Sequence, residues 1–183
     1  MSAILPHALS ASDPATAPPL IVEAQAVRRT RGRLELAWNL AGDLTRLRIP
    51  ASGPFERRDE LWRATCFEAF IQAEAAAGYI EINVAPSRAW AAYAFNDRRQ
   101  GMRRLELDPE PVLTRVDTAS RLEMRAILDL SPALPAKLAW RVGLTAVLET
   151  GNGGISYWAL AHPPGKPDFH APEGFVLTLT ESS

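Results

Sequence analysis

Residues 61–102 read LWRATCFEAFIQAEAAAGYIEINVAPSRAWAAYAFNDRRQGM, and the fold is decided by how their side chains alternate. Phe67, Ala69 and Ile71 fall on one face of a first segment. After a break at Gly78, Ile80, Ile82 and Val84 do the same on a second. A period of two is the mark of a strand with one face in a core. The opposite faces carry Cys66 and Glu68 on the first strand and Tyr79, Glu81 and Asn83 on the second. If these strands pair directly, two carboxyls and an amide share one sheet surface. In the third segment Tyr93 and Phe95 read as core, which leaves Trp90 and Asn96 on the polar side.

The same alternation recurs outside this block. Leu34, Leu36 and Trp38 alternate with Glu35, Ala37 and Asn39. Further strand candidates are residues 44–49, 62–72, 79–84, 90–96, 121–128, 137–149, 155–160 and 175–180. In the segment 137–149, Leu138, Trp140, Val142 and Leu144 point to the core and Arg141 and Thr145 away from it. Pro50, Gly53 and Pro54, then Gly78, Pro86, Ser87, Pro132, Pro135 and the run Gly151 to Gly154 supply the turns. Helix competes only at residues 67–77 and near Ser131. A series of short strands broken by turns is an all-β pattern, an antiparallel sandwich or barrel with little helix.

The chain has 183 residues, enough for one domain with a sizeable core. With 47% hydrophobic and 22% charged residues it has a globular composition. The net charge of −1 argues against a nucleic-acid or anionic-membrane partner and favours a neutral ligand held by stacking and hydrogen bonds. Cys66 is the only cysteine, so no internal disulfide and no all-thiolate zinc site can form. Residues 1–19 are rich in Pro, Ala and Ser and lack a signal-peptide pattern. They are expected to be a flexible lead-in to a single domain over 20–183, in a cytoplasmic protein.

An indole beside carboxylate, amide and guanidinium groups suits a sugar, whose C–H faces stack and whose hydroxyls bond to paired acceptors and donors. The candidate platform is therefore Trp90, Glu68, Glu81 and Asn83, with Arg141 behind them. The competing reading is that Glu68, Glu81 and Arg141 pair across a half-covered sheet. Two carboxyls also invite comparison with glycoside hydrolases, in which such a pair carries the acid and base work. His162 and His170 flank a Pro-rich loop that contains Asp168. The three could converge as metal ligands or as an acid/base group, the loop could close over a ligand edge, or Asp168 simply caps backbone amides and His170 donates to a carbonyl. The arginines at 98, 99, 103 and 104 read as a solvated loop, and Cys66 as a small buried hydrophobe.

Residues 61–72 and 78–102, with the closing ALAHPPGKPDFHAPEGFVLTL at 159–179, resemble bacterial proteins with a DOMON-like fold related to the family 9 carbohydrate-binding modules. The resemblance implies an immunoglobulin-like β-sandwich with a ligand site on one concave sheet or at its rim. It adds Trp62 to the ligand-binding set, making Trp62, Glu68, Glu81, Asn83, Trp90 and Arg141, with Asp168 and His170 as candidate loop contacts. Trp158 is an alternative partner for the ring stack. The family often carries structural calcium, but no Asp-rich loop of suitable spacing is present, so neither metal nor cofactor is expected. Some DOMON domains hold haem through Met and His, which makes Met102, Met124, His162 and His170 a haem alternative. A non-catalytic domain that binds a carbohydrate or similar polyol is the expected function. A glycoside-directed enzyme and a protein-interaction module are the alternatives.

Overall fold

The computed structural model describes residues 6–181, which form two facing sheets. The first has five strands in the order β1 (His7–Ala8), β3 (Leu20–Arg28), β4 (Arg33–Gly42), β11 (Arg121–Asp129) and β10 (Val112–Thr118). The second has nine. Its path runs β2 (Ser10–Ala11), β13 (Ile155–Ala159), β12 (Trp140–Glu149), β6 (Cys66–Ala73), β7 (Tyr79–Val84), β8 (Ala89–Phe95) and β5 (Glu56–Arg57). Off that path, β14 (Leu177–Leu179) pairs with β12, and β9 (Arg103–Arg104) pairs with β8. Every pairing is antiparallel except β5 with β8. The expected all-β sandwich is what these residues build.

Between the sheets, Leu34, Leu36, Trp38 and Leu40 of β4 and Leu122, Met124, Ala126 and Leu128 of β11 meet Phe67, Ala69, Ile71, Ile82 and Leu144 of the larger sheet. Trp38 stacks on Phe67 across the gap with ring centroids 5.7 Å apart. In β4 and β11 the buried positions alternate with half-buried or exposed ones, so the outer face of that sheet meets water. The larger sheet behaves differently. Every residue of β6, β7 and β8 is buried, so both faces of this stretch are covered. Its outer face holds a second apolar cluster of Phe70, Tyr79, Tyr93, Phe95 and Phe175, with Trp62 and Phe169 packed against it.

Local differences from the sequence reading have identifiable causes. Residues 44–49 form a 3-10 turn over Leu44–Arg46, with Asp43 accepting from the Thr45 backbone N–H, instead of a strand. Trp62 lies in a 3-10 turn, Leu61–Arg63, ahead of the strand that starts at Cys66. The strand β10 is missing from the expected set because it lies at a sheet edge and buries only Leu113. The expected flexible lead-in includes two short strands, β1 against β3 and β2 against β13, anchored by buried Leu9. Trp90 is corrected more sharply. It lies in the core, opposite Val84, beside Phe55 at 6.4 Å and under the Arg57 guanidinium.

Gly143 is required where it stands. A Cβ there would meet the Gly174 carbonyl oxygen and the Phe175 ring at 3.0 Å, and its absence lets the Pro172–Gly174 turn lie directly on β12.

Truncating the residue that bridges the two sheets should cost most. Trp38→Ala is expected to destabilise the fold by about 3–5 kcal/mol in urea or thermal unfolding, and Trp38→Phe by clearly less, since the ring contact with Phe67 survives. Similar losses for the two variants would show that Trp38 does not fill the inter-sheet core.

Candidate functional site

The cross-strand register places the site. Thr145 of β12, Glu68 of β6, Asn83 of β7 and Ala91 of β8 form one row across the outer face of the larger sheet. Gly143, Phe70, Glu81 and Tyr93 form the adjacent row. Glu68 and Glu81 therefore sit diagonally on neighbouring strands, pointing the same way. Above them opens a cleft of about 410 Å³. Its walls are Trp62 from the 3-10 turn, Phe95 from β8, Val147 from β12 and Tyr157 from β13. Arg99 and Met102 from the β8–β9 connection and Pro167, Phe169 and His170 from the closing loop complete the rim. The size lies within the usual range for small-molecule sites.

The floor is rich in acceptors. Asn83 Nδ2 donates to Glu81 Oε1 at 2.7 Å, holding that carboxyl in place. Glu68 Oε2 lies 3.5 Å from the Thr145 hydroxyl, and its Oε1 has no hydrogen-bond partner among the described residues. Such an orphan is costly inside a protein, since a buried polar atom loses water without recompense. Burial pushes the Glu68 carboxyl well above the usual carboxylate range, and the neighbouring Glu81 charge adds to it. Burial likewise raises Glu81 to about 7, against the opposing hydrogen bond from Asn83 and the Arg99 charge.

His170 closes one side. Its Nδ1 is 2.6 Å from the Tyr79 hydroxyl, which itself accepts the Arg99 backbone N–H at 3.2 Å. The other ring nitrogen, Nε2, lies 3.8 Å from Glu81 Oε2. Burial, and secondly the Arg99 charge, lowers His170 to about 4, leaving the ring neutral at pH 7. The loop is tied down by Asp168. Partial burial works against its ionisation, but hydrogen bonds from Arg98 and Arg99 prevail and hold it at about 2. Arg99 reaches Asp168 from a left-handed backbone, φ 55°, a conformation that costs a non-glycine residue about 1 kcal/mol. Asp168 also accepts the His170 backbone N–H at 3.1 Å, the capping role foreseen for it.

Of the residues expected to bind a ligand, the cleft brings together Trp62, Glu68, Glu81 and His170. Asn83 lies fully buried beneath them and Asp168 stands behind the rim, clamped by its two arginines. Trp90 and Arg141 are corrections. Trp90 faces the opposite side of the sheet, in the core, because β8 pairs with β7 in the register that puts Val84 across from it. Arg141 shares the site face but is exposed and donates to the Pro172 carbonyl at 2.9 Å, outside the cleft. Trp158 is also core. Phe95, Tyr157 and Arg99 went unrecognised in the sequence, since an aromatic on an alternating strand reads as core and an arginine in an Arg-rich loop reads as solvated. Of the haem alternative's residues, Met124 is buried between the sheets and His162 bonds to the Ser10 carbonyl, leaving Met102 and His170 at the cleft.

These shifts predict a pH profile. Glu81 has its folded value raised from 4.5 to about 7, so its contribution to stability is full below pH 4.5 and is lost as pH rises through 7. His170, lowered from 6.5 to about 4, contributes fully above pH 6.5 and loses that as pH falls through 4. The two oppose each other in mid-range, and above pH 6.5 the carboxyl effect stands alone. Urea unfolding should therefore show stability falling from pH 6.5 to 7.5, with a flatter profile in Glu81→Gln. Parallel profiles for the two proteins would reject a buried, proton-holding Glu81.

No protein-family model matches the chain, and no curated protein sequence does. Solved structures do. A candidate carbohydrate-binding protein from Bacteroides uniformis superposes with a TM-score of 0.71 at 13% identity, covering 98% of this chain and 87% of that one. A family 9 carbohydrate-binding module from Caldicellulosiruptor kristjanssonii in complex with cellotriose gives 0.62 at 8% identity, covering 98% and 84%. A family 9 module from the same organism in complex with glucose gives 0.55 at 8% identity, covering 96% and 86%. At such identities the likeness establishes the fold, a β-sandwich of the family 9 type.

Proposed function

We propose that this chain is a non-catalytic, DOMON-like binding domain that holds a small carbohydrate or similar polyol in the cleft on the outer face of its larger sheet. The observation that carries this reading is the buried Glu68 carboxyl, whose Oε1 is unpartnered and which lines a cleft walled by Trp62, Phe95, Tyr157 and Phe169. A sugar meets both requirements, giving hydroxyl donors to the acceptors below and C–H faces to the rings beside them. Structural likeness to modules solved with cellotriose and glucose supports it. In this reading Trp62 is the stacking residue and Glu68 and Glu81 the hydrogen-bond acceptors. Asn83 positions Glu81, and Asp168 with His170 holds the closing loop.

The glycoside-directed enzyme is kept as a second reading because two carboxyls with raised proton affinity share the cleft, a combination that active sites also use. Product analysis after incubation with chromogenic glycosides separates the two readings. Turnover that vanishes in Glu68→Gln would favour the enzyme.

Calorimetric titration with mono- and disaccharides tests binding. Trp62→Ala should weaken a sugar that binds wild type by on the order of tenfold, from the lost ring contact. Trp90→Phe, on the core face, should leave the affinity unchanged. Equal affinities for wild type and Trp62→Ala would remove Trp62 from the site.

A further inference from the structure

The cleft has a chemical bias that a neutral sugar leaves unanswered. Glu68 is 3% exposed and Glu81 4%, and neither carboxyl has an arginine or lysine in ion-pair contact among the described residues. The groups that face the pair are few. From β12 comes the Thr145 hydroxyl, at 3.5 Å from Glu68. From β6 and β7 come the buried Cys66 thiol, the Asn83 amide, which donates to Glu81 Oε1 at 2.7 Å, and the Tyr79 hydroxyl, engaged with His170 Nδ1 at 2.6 Å. From the closing loop comes the neutral His170 ring, 3.8 Å from Glu81. Arg99, from the β8–β9 connection, is ion-paired with Asp168 at 2.8 Å and makes no contact with either glutamate, although its charge still favours their ionisation. Among the described residues the floor therefore offers an unpartnered carboxyl oxygen on Glu68 and two buried carboxyls that favour their protonated form, while the nearby donors are already committed or too distant.

A hydroxyl group donates one hydrogen bond and brings no charge. A protonated amine donates three and supplies the counter-charge that lets a buried carboxyl give up its proton, and it is favoured again by aromatic faces such as those of Trp62, Phe95, Tyr157 and Phe169. We propose that the cleft selects an amine-bearing sugar, with its ammonium group seated on the unpartnered Oε1 of Glu68 beside Glu81. This assignment rests on the carbohydrate reading of the cleft and narrows it to a cationic class. It also departs from the neutral ligand that the whole-chain charge of −1 suggests, because charge averaged over a chain says nothing about two acids gathered in one pocket.

The two carboxyls hold protons that an ammonium group must displace, so binding should release protons and strengthen as pH rises from 5.5 to 7. The test is calorimetric titration of the full chain with D-glucosamine, D-glucose, N-acetylglucosamine and cyclohexylamine, in buffers of different ionisation enthalpy. Glucosamine is expected to bind at least about tenfold more tightly than glucose or the acetylated sugar, with proton release. Glu68→Gln should bring the glucosamine-to-glucose ratio close to one, whatever happens to the absolute affinities, and Glu81→Gln should reduce the proton release. Equal wild-type affinities for glucose and glucosamine would overturn the amine assignment and leave the polyol reading standing. Cyclohexylamine matching glucosamine, with glucose inert, would overturn the sugar reading and with it the amino-sugar assignment. Failure of all four to bind would overturn both.

Discussion

Two carboxyl groups, Glu68 and Glu81, lie beneath a cover of aromatic side chains with no arginine or lysine among the described residues paired to either, and the site is organised around that burial. Removing charge from water without a partner is among the most unfavourable things a fold can do. The molecule moderates the cost by holding protons on the pair, by one amide donor from Asn83, and by a distant hydroxyl from Thr145. What remains unsatisfied faces a cleft. A purely structural pair would be expected to satisfy its own acceptors, and Glu68 Oε1 does not.

The cover exists because the larger sheet is apolar on both sides. Its inner face completes the sandwich with Trp38, Met124 and their neighbours, and its outer face gathers Phe70, Tyr79, Tyr93 and Phe95 against Phe175. Gly143 allows the closing segment to approach β12, and Asp168 fastens that segment to the β8–β9 connection through Arg98 and Arg99. His170 is carried on the same segment into contact with Tyr79. Several separate stretches of chain thus meet at one cleft. Exposed ion pairs such as Arg98 to Asp168 add little stability, so the clamp matters chiefly for where it holds Phe169 and His170.

Much of this was legible beforehand. Alternation at Leu34 to Trp38 and at Phe67 to Val84 is a period-2 signal that survives into the structure, and it placed Glu68, Glu81 and Asn83 on a common face. The face of Trp90 was not legible. In AWAAYAF the small alanines fall on both faces, so no polar residue marks one as wet, and a one-residue ambiguity exchanges every side chain between faces. The pairing of Val84 with Trp90 resolves it, sending Trp90 inward and Tyr93 and Phe95 to the outer face, where Phe95 lines the cleft. Arg141 was assigned to the correct face, but distance along β12 takes it out of the cleft.

The sequence by itself determined the fold class, the strands that carry the acids and the sharing of one face by Glu68, Glu81 and Asn83, because strand periodicity is a local property of the chain. Only the tertiary structure decided that this face is buried instead of wet, since the cover comes from residues 61–63, 99–102 and 167–175, distant in sequence. It also decided which tryptophan reaches the cleft, because that depends on register between strands. Burial, not residue type, is what turns two ordinary glutamates into proton-holding acceptors, and burial is set by contacts that no local pattern records.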